Sequence, residues 1–232
     1  TECGSAVSKE MMDQRVVSMT RFGGYAEEVV TDHRAAARIP DSMPIGEAAA
    51  LATQGCTAWY AARILAPVRK GDRVLVHSAA GGVGQLLTQL AVHSGCEVFA
   101  VGSGAEKRTY LQSLGAHHII DRSIGDPHDQ LRKALGKNRL DVSFNAVGGS
   151  SFKQDMELLG SGSRLVLFGG AERGSIGGFG TLRFVWRMGL MLPIFLMMKS
   201  KSILGINMLR ISENKPEIVA ECLHAMVHAH AT

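Results

Sequence analysis

The residues with the clearest capacity for chemistry lie between 74 and 84, Val-Leu-Val-His-Ser-Ala-Ala-Gly-Gly-Val-Gly. Val74–Val76 is a short apolar run with β-branched ends, residues 79–84 form a tight turn of small residues, and Gln85–Ala91 reads as a helix. This order of strand, turn and helix suits a dinucleotide. Small residues at Ala80, Gly81 and Gly82 let the backbone approach a pyrophosphate, and the helix start at Val83 offers unpaired N–H groups and a partial positive charge. Ala79 stands where the strict glycine pattern wants its first glycine, which a negative φ permits. The plainer reading is a tight structural turn.

The end of the next strand reports on the nucleotide. An acid there would bond the adenosine ribose and repel a 2′-phosphate. Here Gly102-Ser103-Gly104-Ala105 is followed by Glu106-Lys107-Arg108. Ser103 and the cations Lys107 and Arg108 favour a phosphate, hence NADPH over NADH; Glu106 is the dissenting residue, and solvated helix cations are the alternative. Two further glycine-rich stretches follow strands. Asn145-Ala146-Val147-Gly148-Gly149 and Phe168-Gly169-Gly170 are candidates for holding the nicotinamide half, or plain turns.

Metal chemistry is not expected. Cys3, Cys56, Cys96 and Cys222 are far apart, no CxxC pair exists, and Cys56 has no suitably spaced histidine. His33, His77 and His93 are scattered, with His77 read as a strand-end residue. Cys56 and Cys96 sit in apolar runs as small buried hydrophobes, and the cysteine usage suits a reducing, cytoplasmic setting.

The elements that must position these residues follow from pattern. From residue 73 the chain alternates: strands 73–77, 96–101, 118–120, 140–146 and 163–168, and helices 82–94, 105–114, 127–135 and 151–159. Strands this apolar, joined by helices, call for an α/β fold with a doubly wound parallel sheet of the Rossmann type. Upstream, 15–19 and 25–31 read as a β-hairpin around Gly23-Gly24, residues 35–44 as a rigid connection, and 45–66 as helix broken near Gln54-Gly55 and restarting at Thr57. Downstream, 174–180 reads as a flexible loop, 202–209 as a strand, and 215–228 as a helix capped by Ser212.

The 232 residues carry 27 glycines and a net charge of +4, from 25 basic and 21 acidic residues, with no dense basic tract to suggest nucleic acid. Phe184–Met198 is strongly apolar but too short to span a bilayer, which takes about 20 residues. It reads first as a buried helix, pocket cover or partner contact, and second as a peripheral membrane anchor. Residues 1–15 lack a clean start, so the sequence reads as part of a longer chain.

Residues 15–228 carry a resemblance. The stretches Arg21–Glu27, Thr53–Trp59, His77–Gly84, Asp141–Gly149, Arg164–Gly169 and Leu182–Leu209 resemble the medium-chain dehydrogenase/reductase superfamily, in its zinc-independent quinone oxidoreductase branch and the VAT-1 type of reductase. The resemblance implies a GroES-like β domain, incomplete here at its N-terminal side, joined to a Rossmann domain. The expected division is 1–45, 46–215 and a C-terminal helix at 216–232. It further implies that Thr57 approaches the nicotinamide, that Gly81, Gly82 and Val83 hold the pyrophosphate, and that Lys107 meets the 2′-phosphate. Arg122 stands where the family often has a tyrosine near the adenine ribose, and Asn145 replaces a common aspartate. The implied protein is a homodimer.

The activity so implied is hydride transfer from NADPH to a quinone or an α,β-unsaturated carbonyl compound. Tyr25 and Thr57 are the hydroxyl candidates for the charge that develops on the substrate oxygen. Two other classes compete: a noncatalytic nucleotide-binding protein at a membrane or partner surface, and the enoyl-reductase portion of a larger synthase.

Overall fold

The computed structural model describes residues 2–5, 7–20, 22–171, 186–189 and 191–231. The chain packs as two units, Thr1–Trp59 with Asn207–Thr232, and Tyr60–Ile206. The sequence places these divisions at 45/46 and 215/216.

The larger unit is a six-stranded parallel sheet built from β3 (Arg73–Val76), β4 (Glu97–Gly102), β5 (His118–Asp121), β6 (Leu140–Asn145), β7 (Leu159–Leu167) and β8 (Ser202–Gly205), in the order β5-β4-β3-β6-β7-β8. This is the Rossmann arrangement, and its strand order reverses between β3 and β6. Helices of the unit include α3 (Gly82–His93), α4 (Ala105–Ser113), α5 (Pro127–Leu135), α6 (Ser150–Leu158) and α7 (Pro193–Lys199). On one face Leu75, Phe99, Leu140 and Leu165 of the strands pack with Leu131 and Leu135 of α5 and Phe152 and Leu158 of α6. The central strands β3, β4 and β6 are largely buried in this way, which is why β3 and β4 read as apolar runs.

Most α/β boundaries fall where the residue types place them. α5 starts at Pro127, behind Asp126, whose side chain accepts from the N–H groups of His128 and Asp129, and it stops before Gly136. β7 begins earlier than 163, because Leu159 pairs with Leu140 and Gly160 does not interrupt the strand.

The smaller unit departs further from expectation. β1 (Val16–Ser18) pairs antiparallel with β2 (Ala36–Arg38), not with 25–31. Tyr25 and Val30 are fully exposed, so that stretch has no apolar face to bury, whereas Val17 and Ala37 face each other and are buried. The expected rigid connection therefore holds a strand. Helix 45–66 does not break at Gly55. α1 (Ile45–Ala50) continues through a wide-turned π stretch, Leu51–Gly55, into α2 (Cys56–Trp59), and a second π stretch follows over Tyr60–Leu65. Gly55 is retained because it packs against Leu51 and Met226. Ser212 is not a cap. It lies inside α8 (Met208–Asn214), capped by Asn207, and α9 (Pro216–Ala231) follows with Val219, Cys222 and Leu223 fully buried.

Within the apolar segment 184–198, the described helix α7 is not buried. α7 buries none of its residues, and Met197 and Met198 are 75% and 74% exposed. Among the described residues no helix is long and apolar enough to cross a membrane. The loop expected at 174–180 lies outside the described residues.

Candidate functional site

Strand periodicity builds the centre of the site. Leu75 pairs with Ser143 and Val76 with Phe144, and the His77 N–H donates to the Phe144 carbonyl at 2.9 Å. Every second residue shares a face, so His77 follows Leu75, and Asn145 follows Ser143, on the side covered by α6. Asp155 of α6 projects onto them. It is 2% exposed, and its carboxylate lies 2.9 and 3.0 Å from His77 Nε2 and accepts from Ser143 Oγ and Asn145 Nδ2, each at 2.7 Å. A buried carboxylate needs this many partners to replace lost water.

Asn145 passes the connection onward. Its Oδ1 accepts from the N–H groups of Val147 (2.8 Å) and Gly148 (2.9 Å), while Ser151 Oγ donates to the Gly148 carbonyl at 2.8 Å. An aspartate here could accept the two N–H bonds but could not donate to Asp155 unless protonated; the carboxamide does both. Asn145 is fully buried, so its part is to shape the Val147–Gly148 turn. At the next strand end Gly169 meets Ala146 closely: a Cβ on Gly169 would lie 2.6 Å from the Ala146 oxygen.

The turn after β3 is equally constrained. Ser78 has a left-handed φ of 51°, the Gly81 N–H donates to its carbonyl at 2.8 Å, and the Ala79 N–H donates to Val101 of β4 at 2.9 Å. A Cβ on Gly84 would sit 2.2 Å from Ser78 O and 2.8 Å from Ala79 Cα, so only glycine lets α3 start this close to β3. Gly81 caps α3 without a side-chain bond, and no described residue takes the N–H groups of Gly82 or Val83. These donors and Ala80 surround an open anion cradle.

At the ends of β4 and β5, Arg122 Nε donates to Ser103 Oγ at 3.2 Å, which brings two of the expected cofactor residues together. Lys107 is exposed without a bonded partner among the described residues. Arg108 is committed instead to Asp121, at 3.2 Å. Asp121 also accepts from Ser123 Oγ and N–H and from the Gly104 N–H, and these bonds, the Ser123 hydroxyl first, hold its carboxyl well below the usual carboxylate range.

The hydroxyl candidates lie in the smaller unit. Thr57 Oγ1 donates within its own helix to Thr53 O at 2.7 Å. Tyr25 is fully exposed and lines a groove of about 820 Å³ with Val17, Phe22, Ile39 and Ala52. Burial pushes the Cys56 thiol far up and that of Cys222 to about 12, as inert core thiols. One group among the described residues has metal-ligand geometry, Asp126, His128 and Asp129 on α5, and Asp126 already caps that helix. It offers one histidine and two carboxylates, one of which is already spent on the helix cap.

Comparison with known proteins agrees with this architecture. The zinc-binding dehydrogenase family matches residues 82–224. A mycocerosic acid synthase-like polyketide synthase of Mycobacterium tuberculosis is 33% identical over 166 residues, 72% of this chain but 8% of that synthase. The human synaptic vesicle membrane protein VAT-1 homolog-like protein superposes with a TM-score of 0.79 at 23% identity, covering 99% of this chain and 64% of that one. Escherichia coli quinone oxidoreductase complexed with NADPH superposes with a TM-score of 0.70 at 23% identity, over 86% and 57% of the two chains. The sequence thus spans only part of each relative.

Proposed function

The chain belongs to the zinc-binding dehydrogenase family of oxidoreductases, and on that premise we propose that it forms the nucleotide-binding part of an NADPH-dependent reductase of quinones or α,β-unsaturated carbonyl compounds, working without a metal. One observation carries the reading: the open N-terminus of α3, set against β3 by Gly84, at the strand-order reversal. The Gly82 and Val83 N–H groups would hold the pyrophosphate, with Ala80 and Gly81 leaving room for it.

The 2′-phosphate would meet Ser103, Arg122 and Lys107. No acid follows β4 directly, and the nearest buried one, Asp121, is neutralised by Arg108 and turned into its own loop. Val147, Gly148, Phe168 and Gly169 would flank the nicotinamide half, with Asn145 behind them. Bound NADPH supplies a hydride, and the chain orients that coenzyme. Thr57 and Tyr25 remain the proposed hydroxyl groups on the nicotinamide and substrate side. The E. coli oxidoreductase, which is described in complex with NADPH, supports the cofactor assignment.

The curated relative favours a second substrate class. A stretch that occupies 8% of a polyketide synthase suits the enoyl-reductase portion of a multidomain enzyme, acting on an α,β-unsaturated thioester. A homodimer in the cytoplasm completes the proposal. The test is titration of the full-length protein with NADPH and NADH, followed by turnover of 1,2-naphthoquinone, an enone and a crotonyl thioester. Tight NADPH binding with turnover of one class supports the reading, and no binding of either nucleotide defeats it.

A further inference from the structure

The larger unit has a second concavity, at the opposite edge of the sheet from the α3 turn. It opens at the amino-terminal ends of β6, β7 and β8, roughly 20 Å along a six-residue strand from the cofactor edge. Its volume is about 950 Å³, within the range that encloses small ligands. The inner wall is apolar: Leu135 of α5 and Leu158 of α6 come from the core, and Phe195 and Leu196 of α7 face them.

The rim is cationic. Arg132, Lys137, Arg139, Lys199 and Lys201 line it, against one acid, Glu157. Glu157 is already paired with Arg132 at 3.0 Å. Arg139 donates to the Glu157 carbonyl at 2.9 Å and Lys201 to the Met156 carbonyl at 2.5 Å, so among the described residues their side chains bond to backbone carbonyls. Lys137 and Lys199 have no bonded partner among the described residues. Partial burial first, and then the charges of Lys199 and Arg139, push the Lys201 ammonium below its ordinary value, and none of these three cations is ion-paired among the described residues.

An apolar trough ending in uncompensated cations fits one kind of molecule. We propose that this groove binds a free single-chain amphiphile with an anionic head, a carboxylate or a phosphate, its chain against Leu158, Phe195 and Leu196 and its head between Lys199, Lys201 and Arg139. A second copy of the chain is a poor occupant, since it would bring like charges together. This site is independent of the nucleotide assignment.

Calorimetric titration of the full-length protein with decanoate and decyl phosphate, each below its micellar concentration, tests the proposal. Both should bind, and decanol and inorganic phosphate, which lack the head or the chain, should bind at least about tenfold more weakly. Lys199→Glu, at an exposed residue without a side-chain bond among the described residues, should weaken decanoate by about tenfold or more while leaving NADPH binding unchanged. Phe195→Ser should weaken decanoate and leave the weak phosphate signal alone. Equal binding of decanol, no binding of either anion, binding only to phosphatidylglycerol vesicles, or indifference to Lys199→Glu would each overturn it.

Discussion

His77 Nε2 and the Asp155 carboxylate face each other at 2.9 and 3.0 Å beneath the two loops that flank the strand-order reversal. His77 immediately precedes the left-handed Ser78, and Asp155 holds Asn145, which in turn holds the N–H groups of Val147 and Gly148. One buried carboxylate therefore ties the β3–α3 turn to the β6–α6 loop. Asp155→Ala removes the acceptor of three side chains and strands them without water, which should cost about 3 kcal/mol of stability by urea unfolding. Asp155→Asn retains the shape and should cost less. If Asp155→Ala unfolds at the same urea concentration as the parent, the network carries no weight.

The Gly84 contact predicts a sharper failure. Gly84→Ala puts a methyl group 2.2 Å from Ser78 O and 2.8 Å from Ala79 Cα, both backbone atoms that cannot swing aside. Either α3 withdraws from the turn or the turn deforms, and the Gly82 and Val83 donors move with it. NADPH affinity should fall by at least about tenfold, and stability by about 1–3 kcal/mol, the usual cost of overpacking. Fluorescence titration with NADPH alongside thermal melting reads both. Gly81→Ala, where the nearest atom is 3.2 Å away, should be the milder of the pair.

The parallel sheet was legible in the sequence because its central strands are buried and α5 carries end signals, Pro127 at its start and Gly136 at its end. The glycine turn was legible because a helix pressed against a strand excludes side chains. The smaller unit was obscured because its decisive strand, Ala36–Arg38, contains no β-forming residue. It is held by the packing of Ala37 under α9, a contact between residues far apart in sequence. Of the readings for the apolar segment, the buried helix does not hold for α7, because composition measures apolarity and not burial. Asp155 was overlooked, although a signal existed: Ser143 and Asn145 alternate within an otherwise apolar strand, and polar residues on a buried face demand a partner.

Nucleotide discrimination should reside at the ends of β4 and β5. Lys107 is exposed and makes no side-chain bond among the described residues, and Arg122 already rests on Ser103. Lys107→Ala and Arg122→Ala should each raise the NADPH Kd by roughly three- to tenfold and leave that of NADH unchanged, because charge-assisted bonds to phosphate are lost, together with the exposed Ser103 bond in the case of Arg122. Arg108→Ala should act differently, loosening Asp121 and lowering stability rather than selectivity. A parallel loss of NADPH and NADH affinity in Lys107→Ala would remove that residue from the phosphate site.

Acid should destabilise the protein through two carboxylates, Asp121 in the larger unit and, to a smaller extent because solvent screens its pair with Arg34, Asp32 in the smaller. Asp121 in the larger unit is held well below the usual range, the Ser123 hydroxyl bond first among the causes, and Asp32 in the smaller unit is lowered to about 2, first by its bond to the Arg34 side chain. For a depressed carboxyl the folded state binds its proton more weakly than the unfolded chain does. The stability it contributes is complete above the unfolded value near 4 and is lost as pH falls toward the folded value. Melting temperature measured from pH 6 to pH 2 should therefore stay level down to about pH 4.5 as far as these two groups govern it, then fall. Asp121→Asn and Asp32→Asn should each flatten part of that fall and lower the plateau above it. An acid slope that neither variant alters would show that the bonds of Ser123 and Arg34 contribute nothing to folding.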